Sequence, residues 1–197
     1  MRRKIGIACI VLGVFCLISS AGCVLYNRME AESAEVSSQA ILQEVQLKIG
    51  QSVQETAENN ETTPEGKTPA LEVPEDCIGV LSIPVLELEL PVLSDWSYEK
   101  FRKAPCRYYG SCEEADFVIA AHNYPSHFGR LVQLQPKDLV LFTDVSGNNH
   151  CYEVVLLETL QPEATKEMIT SGFDLSLYTC TPGGGSRVTV RCKKISL

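Results

Sequence analysis

From Cys77 to the C-terminus, apolar residues come in runs too short for a packed helix, each closed by proline, glycine or a polar turn. Nothing else in the chain limits the fold as much. Ile78–Ile83 stops at Pro84, Leu86–Leu90 at Pro91, and Asp116–Ala121 at His122-Asn123-Tyr124-Pro125. Leu139–Phe142 and Tyr152–Leu157 flank the turn-rich Ser146-Gly147-Asn148-Asn149. Leu175–Cys180 and Arg187–Arg191 flank a Pro182-Gly183-Gly184-Gly185 loop. Such runs, rich in β-branched residues and alternating in polarity, predict strands. Helical patterns are few. They are a short helix over Asp95–Lys103 capped by Ser94 or Asp95, one or two turns over Phe128–Leu134, and a turn around Ala164–Ile169. About seven or eight short strands with few helices predict a mostly-β domain, a closed or nearly closed β-barrel over residues 77–197.

The chain ahead of that domain has a different character. Arg2-Arg3-Lys4 precedes Ile5–Tyr26, which is apolar or small throughout and free of charge. About 20 such residues suffice to cross a bilayer as a helix. Basic residues in front predict a cytoplasmic N-terminus, with the rest of the chain outside a single-pass anchor over residues 1–27. A cleaved signal peptide, or acylation at Cys23 after Ala21-Gly22, would leave the remaining chain on the same side. Residues 28–76 then divide in two. Ile41, Leu42, Val45 and Ile49 mark one face of a helix, a stalk or a helix lying on the barrel. From Gln51 to Pro74 the Glu, Thr, Asn and Pro content predicts a disordered linker.

The net charge of −8 and the lack of a basic stripe exclude a nucleic-acid binder. Three of the nine cysteines, Cys9, Cys16 and Cys23, lie in the apolar run. The others are Cys77, Cys106, Cys112, Cys151, Cys180 and Cys192. Cys106 and Cys112 are close enough in sequence to bridge a loop. Paired C-x-x-C spacing and calcium-loop spacing are both missing, so neither a metal nor a cofactor is expected.

The strands around the glycine loop carry the chemistry. A hairpin there holds the Cys180 thiol at the end of one strand and the Arg187 guanidinium at the start of the next. A cysteine nucleophile acts as thiolate and needs a basic neighbour. Only His122, His127 and His150 are available, and His122 sits where a buried strand meets a loop. A structural histidine and a disulfide cysteine fit the same spacings.

Leu177-Tyr178-Thr179-Cys180 followed by Arg187-Val188-Thr189-Val190, with Ala120-Ala121-His122-Asn123 upstream, resembles the sortase family of cysteine transpeptidases. The resemblance covers roughly residues 77–195. It takes in Ile78-Gly79-Val80-Leu81-Ser82-Ile83-Pro84, Leu90-Pro91-Val92-Leu93, the Tyr108-Tyr109-Gly110-Ser111 turn and Phe128-Gly129-Arg130-Leu131. Ala121 stands where the family usually has Gly. What the resemblance implies is an N-terminally anchored, extracellular enzyme with three catalytic residues. Cys180 would attack the Thr–Gly carbonyl of an LPXTG-like sorting signal to give a thioacyl intermediate. His122 would act as acid and base, and Arg187 would stabilise the carbonyl oxygen, with Arg191 as the reserve arginine. Thr179 would bind substrate or shape the site. The acceptor would be an amine of a peptidoglycan precursor or a pilin Lys. A tethered cysteine peptidase that only hydrolyses, and a non-catalytic extracellular β-barrel binding module, are the alternatives.

Overall fold

The computed structural model describes residues 2–58 and 76–196. It divides into two units, Met1–Ser33 and Ala34–Leu197. A continuous helix, α1, spans Arg2–Glu58. Its share of the first unit contains the apolar run, whose described side chains from Ile10 onward are exposed and which is long and apolar enough to cross a membrane. Helix α1 runs past Gln51, where composition predicts the linker to begin. The remainder of that linker, residues 59–75, lies outside the described residues.

In the second unit, the strand runs close on themselves. Among the described residues these are β1 (Cys77–Ile83), β2 (Leu88–Leu93), β3 (Cys106–Tyr109), β4 (Phe117–Ala120), β5 (Leu139–Asp144), β6 (Asn149–Leu160), β7 (Leu175–Cys180) and β8 (Arg187–Ile195). They form a closed barrel in the order β1-β2-β3-β4-β7-β8-β6-β5. Neighbours are antiparallel except β2–β3, which meet at Leu93 and Cys106, and β4–β7, which pair from Phe117 with Leu175 to Ala120 with Tyr178. Alternate residues point inward. Leu81, Ile83, Val92, Phe117, Ile119, Phe142, Leu175, Leu177 and Val190 fill the interior with Phe128 and Leu131 from the β4–β5 connection.

Three local differences from the sequence pattern have physical causes. Pro91 does not end β2, because that strand is paired on its β3 side only at Leu93, so a residue without an N–H is tolerated. Helix α2 (Tyr98–Phe101) is capped by Ser97, whose hydroxyl accepts the Lys100 N–H at 3.2 Å, and not by Ser94 or Asp95. Strand β3, read as a turn at Tyr108-Tyr109, reaches only four residues and gains its pairing from β4.

The second half of α1 packs on the barrel. Ala34, Ser38, Leu42 and Val45 are buried at the three- and four-residue spacing of one helix face. Leu42 and Val45, flanked by Ile41 and Ile49, form a second apolar cluster with Cys77, Val80, Leu93, Ala104 and Cys106. Burial of each large aliphatic side chain contributes roughly 1.5–3 kcal/mol, enough to hold the helix there. The apolar face read from the sequence is this packing face. Cys106 and Cys112 do not bridge: both are free thiols, and Cys106 lies in this cluster.

Candidate active site

The C-terminal end of β7 builds the site. Leu175 and Leu177 project into the core, which turns Tyr178 and Cys180 to the outer face. The loop after Cys180 reverses the chain through the Gly184 N–H to Thr181 carbonyl bond of 2.8 Å and the Thr181 N–H to Ser186 carbonyl bond of 2.9 Å. Gly183 and Gly184 have φ of 84° and 75°, values that L side chains resist. No protein atom crowds them, so glycine is required there by backbone angle alone. The reversal sets Arg187 directly opposite Cys180 in the β7–β8 ladder. The Arg187 guanidinium lies 3.5 Å from the carbonyls of Gly184 and Ser186 and is half-exposed.

His122 arrives by a different route. Strand β4 runs parallel to β7, and the Ala121 N–H donates to the Tyr178 carbonyl at 3.2 Å. His122 therefore emerges beside the end of β7. Its ring stacks on Tyr124 (4.8 Å, 22°) and lies 4.3 Å from Phe101 of α2. Thr179 does not line the cleft. It is buried, and its hydroxyl donates to the Ala121 carbonyl at 2.8 Å, which fastens the residue ahead of His122 to the residue ahead of Cys180.

Cys180, His122 and Arg187 thus share a cleft of about 450 Å³. Its walls were not legible in the sequence. Trp96, Tyr98, Phe101 and Tyr108 form a first, aromatic wall, and Gln161, Pro162, Ala164, Thr165 and Met168 of the β6–β7 connection, which contains helix α3 (Thr165–Ile169), add to the lining. The crowding of aromatic residues between positions 96 and 109 is the one signal that could have revealed the first wall. Tyr108 meets Tyr178 edge-on at 5.4 Å. Burial, then the neighbouring Tyr108, push the Tyr178 phenol above its ordinary range, so it is a neutral hydrogen-bonding group at physiological pH.

Arg191, the reserve arginine, lies outside the cleft. Its Nε donates to Glu158 at 2.7 Å, and its terminal nitrogens donate to the Ser176 hydroxyl and the Glu167 carbonyl, each at 2.8 Å. This buried guanidinium ties β8 to β7 and to the β6–β7 connection. His127 is fully buried, and burial, then the nearby His122, lower its pKa to about 4. His150 belongs to another cluster, with Asp144 and Lys194.

The chemistry open to the cleft is that of a nucleophilic thiol with an imidazole and a multi-donor cation at hand. The Sortase domain model matches residues 81–195, more than half of the chain. No curated protein sequence matches. Among solved structures, the chain is similar to the Clostridium perfringens sortase D5 transpeptidase (19% identity, TM-score 0.62, covering 82% of this chain and 99% of that one). It is also similar to sortase C-3 of Streptococcus pneumoniae (24%, 0.56, 85% and 91%) and to a lid mutant of sortase A from Corynebacterium diphtheriae (20%, 0.56, 81% and 94%). These likenesses show the fold, and with the family model matched over the barrel strands, the chain belongs to the sortase family.

Proposed function

We propose that the protein is a membrane-anchored cysteine transpeptidase, with Cys180 as nucleophile, His122 as general acid and base, and Arg187 as oxyanion stabiliser. The observation that carries this reading is the convergence of the three side chains on one cleft from three strand ends, with Cys180 and Arg187 paired in register. The Cys180 thiolate attacks the Thr–Gly carbonyl of an LPXTG-like sorting signal, and the developing oxyanion is held by the Arg187 guanidinium. Collapse of that intermediate breaks the C–N bond, and His122 gives its proton to the departing glycine amine. The resulting thioester is attacked by an acceptor amine, His122 takes up the amine's proton, and Cys180 leaves as thiolate. A peptidoglycan precursor or a pilin Lys would supply the amine. Thr179 fits a positioning role, since its hydroxyl is spent on the Ala121 carbonyl. Arg2-Arg3-Lys4 would hold the N-terminus in the cytoplasm and direct the barrel to the outer side.

The test is a transfer assay on the full chain in detergent, with a panel of LPXTG-like peptides and a panel of amines. Transfer that vanishes in Cys180→Ala supports the proposal. Normal turnover by that variant, or release of free acid with no amide product at any amine concentration, refutes it.

A further inference from the structure

We propose that Cys112, Glu113, Asp144 and His150 form a structural zinc site at the end of the barrel remote from the Cys180 cleft. One ligand atom from each of the four lies within 4.8 Å of all the others. The His150 Nε2 is 3.4 Å from Asp144 Oδ2 and 3.8 Å from Glu113 Oε1. In a tetrahedral zinc site, with bonds of about 2.0–2.3 Å, neighbouring ligand atoms stand roughly 3.3–3.7 Å apart. Closing the cluster on an ion therefore requires movements on the order of 1 Å, and Glu113 is an exposed side chain free to make them.

The chemistry of the set points to zinc. A thiolate and an imidazole disfavour calcium and magnesium, which take oxygen ligands, and two carboxylates complete a four-coordinate shell. The more buried ligands are already held. Asp144 Oδ1 accepts the N–H groups of Ser146 (2.8 Å) and Asn148 (2.9 Å), and its Oδ2 accepts Asn148 Nδ2 at 2.9 Å. His150 is buried, with its ring 6.1 Å from that of Phe142. Cys112 packs against the main core, of which Tyr152 is a member. The Tyr152 hydroxyl is fully buried, has no hydrogen-bond partner among the described residues, and lies within electrostatic reach of Cys112 and Glu113. A metal-bound thiolate at Cys112 would add a negatively charged acceptor to the surroundings of this donor.

The location makes the role structural. Cys112 and Glu113 precede β4, Asp144 ends β5, and His150 opens β6. Strands β4 and β7 run from this end toward His122 and Cys180, and β8 returns from Arg187 to Lys194. At about 3.3 Å per residue, that return covers roughly 23 Å. The ion would join the β3–β4 loop to the β5–β6 turn. On binding, the Cys112 thiol gives up a proton to solvent, and the ring proton of neutral His150 moves from Nε2 to Nδ1. Lys194 opposes binding. Its exposed ammonium is 3.2 Å from His150 Nδ1, the nitrogen that must carry the ring proton once Nε2 is bound to metal, and it also donates to the Cys112 carbonyl.

The experiment uses the full chain in detergent, in the Cys180→Ala background so that the cleft thiol does not compete for metal. After chelator treatment, Zn2+ is titrated in competition with a chromophoric chelator, and Co2+ is substituted for spectroscopy. Expected are one Zn2+ per chain and a Co2+ spectrum with thiolate charge transfer and tetrahedral bands. Glu113→Gln, an exposed change that leaves the fold intact, should weaken binding by at least about tenfold, and Cys112→Ser or His150→Gln by more than about a hundredfold. Lys194→Met should tighten it. Substoichiometric Zn2+, a Co2+ spectrum without the thiolate band, Ca2+ bound in preference to Zn2+, or unchanged affinity in Glu113→Gln and Cys112→Ser would each overturn the proposal.

Discussion

His127 makes the stability of the barrel sensitive to acid, by an amount that can be worked out. Its imidazole is fully buried beside Tyr124 and near the Ala34 carbonyl of α1, with burial and then His122 lowering its pKa from 6.5 to about 4. The folded chain therefore holds this proton less tightly than the unfolded chain. Above about pH 6.5 both states are neutral at this position and it makes no difference. As pH falls from there to about 4, the unfolded state takes up the proton first, and the folded state loses roughly 3 kcal/mol relative to it. The neutral isostere His127→Gln removes this dependence. The single tryptophan, Trp96, stands in the cleft wall and reports unfolding of this unit by fluorescence. Urea titrations of both chains from pH 7 to pH 4 should show the wild type losing about 3 kcal/mol more than the variant, most of it between pH 6 and 4. The depressed carboxylates do not confuse the result. For Asp116, burial would raise the pKa, but bonds from Ser171 and Gly172 outweigh it. For Asp144, burial is likewise outweighed, by bonds from Asn148, His150 and Ser146. Both contribute stability that is present above their unfolded value of 3.8 and is lost only as pH falls below it. Parallel stability profiles for wild type and His127→Gln would refute the reasoning.

Thr179→Val keeps the shape of the side chain and strands the Ala121 carbonyl; it should cost about 1–3 kcal/mol in urea unfolding and reduce kcat more than KM in the transfer assay. Arg191→Met leaves Glu158 and Ser176 without their buried partner and should destabilise by about 3–5 kcal/mol, whereas Arg187→Met should leave the urea midpoint in place and abolish transfer. Gly184→Ala meets no atom but forces a side chain onto a left-handed backbone, so it should cost about 1–2 kcal/mol, read as a shift in thermal midpoint.

Much of the site was legible because it is local. Cys180 and Arg187 lie on two alternating strands joined by a tight loop, and period-2 patterning assigns each to a face of its own strand. The same patterning put Arg191 on the face of Arg187, but it carried no sign that the β6–β7 connection would cover the far half and bury it against Glu158. His122 is a different case. It reaches Cys180 through the parallel β4–β7 pairing of residues far apart in sequence, and no local pattern encodes that register; the family motifs supplied it. The aromatic wall was not legible for a different reason, since Tyr98 and Phe101 begin and end a helix of one turn, too short to show a helical stripe. The cluster of Cys112, Glu113, Asp144 and His150 proposed as a zinc site draws residues from two separate turns, so spacing rules keyed to short motifs pass over it.

The register that holds Cys180 against Arg187 has a consequence for how such a chain can diversify. The pair is fixed by ladder pairing on both strands, while a side chain added at Gly183, Gly184 or Gly185 would meet no atom within 4 Å. Residues added between Thr181 and Ser186 would lengthen a solvent-facing loop at a closure cost of only about 0.6 kcal/mol per doubling. The reacting atoms would stay where the strands put them. Under the proposed mechanism, this loop can therefore be varied independently of the residues that make the bond, and a library of loop lengths should vary in peptide choice while retaining one common chemistry.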